Sequence, residues 1–234
     1  MRIDTVIIPM KLAQQVLYAI DDAGANKFDS ALLHACIAID TTSKRLAPNK
    51  KVKARYVGCL RHYYWILEPM LGAGLNLEET KFETIHLEKK SSPDLAEIIY
   101  EIFRCSYAHG DEVPTAFSVV PTSGSADSKW SLGNGELHMP DRIIWALLSV
   151  AVFSRVNACE KSDGNYYLSL GDHRFLLREW WGREDEFRVI AAQYNQTRVT
   201  LDKLGRLEKG NENPALDKTV KIEIIQPYAT QRRT

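Results

Sequence analysis

Arg104 and His109 stand five positions apart near the end of an apolar helical pattern. A guanidinium group stays charged at any working pH and offers a planar fork of donors that matches phosphate. An imidazole titrates near neutral pH and can give or take a proton. Together the two groups suit cleavage of a phosphodiester, in which the arginine holds the charge that builds on phosphorus. The structural alternative is that both cations bond the free carbonyls at a helix end.

The helix that carries this pair is predicted from the spacing of its apolar residues and from its flanks. Residues 91–94 read Ser-Ser-Pro-Asp, which predicts a Ser N-cap, a Pro at the first helical position and an acid in the first turn. Gly110 predicts the end of the helix, because glycine readily adopts the left-handed conformation that closes it. The predicted buried face follows the i, i+3, i+4, i+7, i+8 spacing and consists of Leu95, Ile98, Ile99, Ile102 and Phe103.

The spacing of the pair sets a geometric condition. Positions five apart diverge by roughly 140° around an ideal α-helix, whereas Cys105 and His109, four apart, share a face. Arg104 and His109 therefore converge only if the last turn unwinds at Gly110, or if a second copy of the helix completes the site.

The R-x-x-x-x-H pattern from Arg104 to His109, at the end of a hydrophobic helix, resembles the signature of the HEPN superfamily (higher eukaryotes and prokaryotes nucleotide-binding). The resemblance extends over roughly residues 10 to 160, with an N-terminal helical pair, the Arg/His helix and a further long apolar helix. It implies a helical, usually dimeric protein. Many such proteins are metal-independent RNases, without a cofactor, in toxin–antitoxin, abortive-infection and CRISPR-linked systems.

By this resemblance, Arg104 would position or stabilise the scissile phosphate and His109 would transfer protons. The 2′-hydroxyl of RNA would be the nucleophile and a cyclic phosphate would remain, with the Arg and His of two protomers facing each other across a cleft. Cys105 and Asp111 are the predicted supporting residues. Cys105 stands where the family commonly has a polar side chain such as Asn or Asp. Asp111 stands where some members carry a tyrosine that a partner enzyme modifies, so that form of control is not supported.

The densest basic run of the chain, residues 48–55, is the second candidate for RNA contact. Basic residues followed by aromatics suit contact with a nucleic-acid backbone and stacking on bases. Two structural alternatives stay open: a solvated loop for the basic residues, and core packing for aromatics at helical spacing, which is the commoner case. The basic candidates are Lys50, Lys51, Lys53 and Arg55, and the aromatic ones are Tyr56, Tyr63, Tyr64 and Trp65.

Composition narrows the class of protein. The 234 residues are 45% hydrophobic and 26% charged, which is typical of a soluble globular protein. No run of about 18 apolar residues and no leader pattern is present, so we expect no membrane contact and a cytoplasmic location.

The four cysteines show no metal-site spacing, and we expect free thiols. Thirty basic and thirty acidic residues cancel, so any RNA contact must be a local patch.

Periodicity and turn residues predict a mainly α fold, a HEPN-like antiparallel helical bundle with one or two β-hairpins and a short C-terminal extension. Helices are expected over about 11–23, 29–45, 53–71 and 141–157, with hairpins at residues 133–135 and 171–172 and a last strand at 221–225. Residues 1–164 are expected to form the helical domain with an inserted hairpin, and 165–234 to pack on it. Asp40, which ends the apolar run of residues 36–39, could pair with a buried cation or lie solvated at the edge of its helix, and the solvated position is the one expected.

Three functional hypotheses follow. The first is a metal-independent endoribonuclease that acts as a homodimer on RNA, with an antitoxin or another defence-system protein as a partner. The second is a catalytically inactive HEPN-like module that binds a nucleotide, RNA or a protein, which the neutral net charge and Cys105 favour. The third is a structural protein unrelated to the superfamily.

Overall fold

The computed structural model describes residues 12–72, 75–82, 85–87, 90–110, 112–122, 127–133, 135–194 and 220–225. The fold is mainly helical, with small sheets. Four helices form the N-terminal part: α1 (Leu12–Gly24), α2 (Phe28–Leu46), α3 (Val52–His62) and α4 (Tyr64–Leu71). No helix among the described residues is both long and apolar enough to cross a membrane.

The segment that carries Arg104 and His109 comprises three helical pieces in direct succession: α5 (Leu95–Ile98), a π-helix (Ile99–Arg104) and α6 (Cys105–His109). We call residues 95–109 the Arg/His helix. The later helices are α7 (Arg142–Phe153), followed by a 3₁₀ turn (Arg155–Asn157), then α8 (Leu177–Trp180) and α9 (Glu184–Ala191), which ends in a 3₁₀ turn (Ala192–Tyr194).

Helix α7 forms the centre of the core. All of its residues except Trp145 are buried, as expected for a helix that is apolar on every side. Helices α1, α2 and α4 pack around it, and α2 also packs against α3 and the π-helix. Towards the C-terminus, the Phe153 ring stacks on Phe187 at 3.8 Å between centroids and meets the edge of Phe175. One hydrophobic core therefore joins α1 to α9.

In the part of the chain that the structure describes, the strands form three sheets. The largest has the order β3 (Phe117–Val120), β5 (Glu136–Pro140), β4 (Asp127–Gly133) and β8 (Val220–Ile225). Strands β3 and β5 are parallel, while the β4–β5 and β4–β8 pairs are antiparallel. The two others are two-stranded, β1 (His86–Leu87) with β2 (Lys90–Ser91) and β6 (Tyr167–Leu170) with β7 (His173–Leu176).

The hairpins and the last strand agree with the sequence prediction. Strands β4 and β5 form the hairpin expected at residues 133–135, and β8 is the strand expected near residue 221. The β6–β7 turn requires glycine at position 171, where φ is +55° and an added Cβ would collide with the Tyr194 hydroxyl.

Two helix predictions are wrong in detail. The helix expected over 53–71 is two helices, separated at Tyr63, whose buried hydroxyl bonds Ser154 at 2.7 Å and Glu184 at 3.0 Å. The expected Ser cap of the Arg/His helix is also wrong, because Asp94 is the N-cap and Ser92 has a φ of +56°. The break at Tyr63 coincides with contacts to distant segments, which helical periodicity does not contain. The Asp94 cap is instead local, because Asp94 and Glu97, three positions apart, form a capping box.

Candidate functional site

The Arg/His helix starts in a network of charges that fixes its first turn. The Asp94 carboxylate accepts a hydrogen bond from the Glu97 backbone N–H at 3.1 Å, and the Glu97 side chain accepts one from the Asp94 N–H. Arg61 and Lys81 also donate to Asp94, at 2.6 and 3.0 Å. Burial raises the pKa of Asp94, but the bonds from Lys81, the Glu97 N–H and Arg61 outweigh it and leave the pKa lowered.

A solvent-open pocket of about 380 Å³ lies at this end of the helix, and its lining residues are Arg61, Tyr64, Glu78, Lys81 and Asp94. Its two cations pair with Asp94, and the Tyr64 hydroxyl accepts from the Ala96 N–H at 3.2 Å. The pocket walls therefore stabilise the start of the helix.

The middle of the helix is a π-helix, which sequence periodicity did not predict. The Cys105 N–H donates to the Tyr100 carbonyl, five residues back instead of four. The wider turn leaves Ile102 half-buried, whereas the other residues of the predicted face, Leu95, Ile98, Ile99 and Phe103, are buried. Short π-helical turns inside α-helices are rare and frequently occur at functional sites. This one ends at Arg104.

The helix ends as predicted at Gly110, which has a φ of +73° and donates to the Ser106 carbonyl. The backbone from Cys105 to His109 is α-helical, so the Cα atoms of Arg104 and His109 project roughly 140° apart around the axis. The helix stays regular up to Gly110, and of the two conditions for convergence this backbone favours the one in which a second copy of the helix completes the site. The His109 side chain and Asp111 lie outside the described part of the structure.

Arg104 reaches across to α2. Its Nη2 donates to Oδ2 of Asp40 at 3.0 Å, and Nη2 of Arg55, on α3, donates to Oδ1 of the same carboxylate at 2.9 Å. The expectation that Asp40 is simply solvated is wrong, because one carboxylate holds two guanidinium groups. Arg104 therefore bonds a carboxylate of another helix. The structural alternative expected it to bond the free carbonyls at the end of its own helix.

Tyr56, Tyr100 and the thiol of Cys36 lie close to this cluster and are neutral near pH 7. The Arg104 guanidinium lies 5.7 Å from the centre of the Tyr100 ring, which in turn lies 5.4 Å from the Tyr56 ring. Burial raises the pKa of Tyr56 well above its usual value, and that of Cys36 to about 12. Burial likewise raises the pKa of Tyr100, next to the half-buried Cys105.

The four basic candidates of residues 50–55 divide into two groups. Lys50 and Lys51 are exposed immediately before α3, and Lys53 and Arg55 lie within α3. The basic run is therefore only partly a loop. Lys53 forms an ion pair with Glu101 of the π-helix, and Arg55 is the one that meets Arg104 through Asp40.

The aromatic residues that follow the basic run serve the core. Tyr56, Tyr63 and Tyr64 are buried, and Trp65 is half-buried beneath the Arg188 guanidinium, 3.8 Å from the ring centre. Core packing, the commoner alternative, is therefore correct for the three tyrosines.

Asp40 is the functional candidate that the sequence analysis undervalued. The available signal was an acid that interrupts the apolar residues 36–39, since a buried carboxylate without a cation is costly. Among the described residues, no group of three or more His, Cys, Asp or Glu side chains could hold a metal ion.

Fold and site together define a mainly helical protein in which a half-buried arginine–carboxylate–arginine cluster lies beside a π-helix. The Rv1289 family model matches residues 11–205, and the chain belongs to that family. The chain is 32% identical over 196 residues to Uncharacterized protein Rv1289 of Mycobacterium tuberculosis and to Uncharacterized protein Mb1320 of Mycobacterium bovis. These matches cover 82% of this chain and 93% of each relative. No solved structure matches the chain.

Proposed function

We propose that this protein is a metal-independent endoribonuclease of the HEPN type, with a HEPN-like helical bundle, that acts as a homodimer in a defence or toxin–antitoxin system. Arg104 holds the scissile phosphate and His109 transfers protons. The 2′-hydroxyl attacks phosphorus as its proton leaves, the bond to the 5′-oxygen breaks, and that oxygen takes up a proton. The products are a 2′,3′-cyclic phosphate and a 5′-hydroxyl end.

The observation that supports this proposal best is the position of the Arg104 guanidinium. It is 21% exposed and is held by an acid of another helix, beside a second arginine. Arginine forks suit phosphate, and a fixed fork loses little freedom when it binds. Exposed Lys50 and Lys51 lie just before α3 and add local positive charge to a chain whose net charge is zero.

Cleavage of mixed RNA in EDTA tests the proposal. We expect the wild-type protein to produce fragments that end in a cyclic phosphate, and Arg104→Ala and His109→Ala each to lower the rate by at least about a hundredfold. Arg178→Ala is the control, because it removes an exposed arginine that bonds Asn165 and Glu179 elsewhere. Cleavage that EDTA abolishes, or that both variants retain, would contradict the proposal.

The second candidate is a catalytically inactive HEPN-like module that binds RNA, a nucleotide or a protein. The zero net charge and the half-buried Cys105 beside Arg104, in place of a good hydrogen-bond donor, favour it. The same assay distinguishes the two, because this module would leave the RNA intact.

A further inference from the structure

The charges of the cluster around Asp40 do not balance. Arg55 and Arg104 bring two positive charges, and Asp40 brings one negative charge. Cys36 and Tyr56 are neutral near pH 7, and the adjacent Lys53 and Glu101 neutralise each other. One positive charge is thus left over where the three side chains are only 15–28% exposed. A charge that is partly removed from water favours the binding of an anion.

The donors of the cluster are also incompletely used. An arginine has five N–H donors, and the carboxylate takes one described bond from each guanidinium. Among the described residues, Nε of Arg55 is buried and has no hydrogen-bond partner. A buried donor without a partner carries a cost, and the Arg55 guanidinium therefore has unused donor capacity within the cluster.

The chemistry of the cluster fits a phosphate group of a polynucleotide. Phosphate has several acceptor oxygens and can bond two guanidinium forks at once. Lys50 and Lys51, exposed immediately before α3, add positive charge next to the first turn of the helix that carries Arg55. A polynucleotide offers successive phosphates to such a group of cations, which a single small anion does not.

We propose that Arg55 is a second phosphate-binding residue of this site, and that Asp40 is the positioning residue that holds it beside Arg104. This inference rests on the proposed function for the identity of the ligand, single-stranded RNA. Arg55 and Arg104 would bind neighbouring oxygens of the RNA backbone while the Asp40 carboxylate keeps their guanidinium groups together.

Binding of a short fluorescein-labelled RNA, fully 2′-O-methylated so that it has no nucleophile, tests this inference by anisotropy at a series of salt concentrations. For single strands, the salt slope falls by about 0.7 for each lost phosphate contact. We expect Arg55→Gln to weaken binding about tenfold at low salt and to lower the slope by that amount. Arg55→Lys should keep the slope, because the charge remains, and lose part of the affinity with the fork.

Arg45→Gln is the matched control, since Arg45 of α2 is also partly exposed and pairs with a carboxylate, Glu160 at 2.6 Å. It should leave the affinity and the slope unchanged. Asp40→Asn tests the positioning role, because a carboxamide is uncharged and places an NH2 donor where one of the two guanidinium groups finds an acceptor oxygen. We expect it to weaken binding. Tighter binding would show that Asp40 competes with phosphate and would overturn the positioning role.

The outcomes separate this inference from the proposed function. Loss of binding in Arg55→Gln, with native RNA left intact by the wild type, would support the inference and count against the endoribonuclease. Cleavage of native RNA with unaltered binding by Arg55→Gln would overturn the inference alone. Absence of wild-type binding to the methylated RNA would also overturn it.

Discussion

At the scale of single residues, Asp40 connects three helical elements through ion pairs. Its carboxylate takes bonds from α3 and from the end of the π-helix, and it is itself part of α2. Removal of the acid would leave two guanidinium groups, each less than a quarter exposed, without their shared anion. Such a loss costs more than the pair contributes when intact, because the remaining charges stay partly desolvated.

We therefore expect Asp40→Ala to lower the free energy of unfolding by about 1–3 kcal/mol. Urea denaturation followed by circular dichroism measures the change. Asp185→Ala is the control, because Asp185 is 74% exposed and pairs with Arg155, itself 65% exposed. Its effect should stay within about 0.5 kcal/mol. Equal effects of the two variants would contradict the view that Asp40 joins the helices.

Asp94 gives a prediction about pH. Because its pKa is lowered in the folded state, its charge adds stability above the unfolded pKa, and this contribution is lost as the pH falls through the folded pKa. We expect Asp94→Asn to be less stable than the wild type at pH 7, and the difference to shrink below about pH 4, near the ordinary pKa of aspartate. Urea titrations between pH 7 and pH 3 measure it.

Asparagine caps helices about as well as aspartate, so this variant isolates the charge. Asp94→Ala removes the cap as well and should remain less stable than Asp94→Asn at every pH, by about 1 kcal/mol. A difference between the wild type and Asp94→Asn that is independent of pH would contradict the charge argument.

At the scale of the elements, Gly110 ends the Arg/His helix through its backbone conformation and not through packing. Gly110 has a φ of +73°, and an added Cβ would meet no atom within 4 Å. Gly58, inside α3, also has free space around an added Cβ and is not among the residues with positive φ. The two positions therefore differ in backbone conformation and not in packing.

We expect the two substitutions to change the stability of the protein in opposite directions. Gly110→Ala should destabilise the protein by about 1 kcal/mol through left-handed strain, and Gly58→Ala should stabilise it by up to about 1 kcal/mol through higher helix propensity. Thermal unfolding of both variants against the wild type measures the effects. Two changes of the same sign would show that something other than backbone conformation decides them.

At the scale of the whole molecule, the helical backbone up to His109 bears on the proposed dimer. Within one chain, the Cα atoms of Arg104 and His109 lie roughly 140° apart around the helix axis. The proposed site therefore combines Arg104 of one protomer with His109 of another. A twofold dimer would contain two such sites.

Complementation between variants tests this arrangement. Arg104→Gln and His109→Gln, each inactive alone, should regain activity when mixed under conditions that allow subunit exchange. Random exchange makes half of the dimers mixed, each with one intact site of two, so about a quarter of the wild-type specific activity should return. Absence of recovery, with exchange verified by mass spectrometry of the dimers, would place both residues in a site within one chain.

The sequence predicted the elements that depend on the order of neighbouring residues. These are the positions of the helices, the β4–β5 and β6–β7 hairpins, and most of the buried face of the Arg/His helix. Apolar spacing places Leu95, Ile98 and Phe103 inward, and glycine at 110 ends the helix. The Arg/His motif and the unusual acid at position 40 were also visible in the sequence.

The sequence by itself determined which local elements form, because helix periodicity, caps and turns depend on residues a few positions apart. Only the tertiary structure decided that Arg55 and Arg104 meet at Asp40, across separations of 15 and 64 residues. The tertiary structure also decided where the π-helix forms and where the helix breaks at Tyr63, because both places contact distant segments. The physical reason is that the energies of ion pairs and buried hydrogen bonds depend on distances in space, which periodicity does not encode.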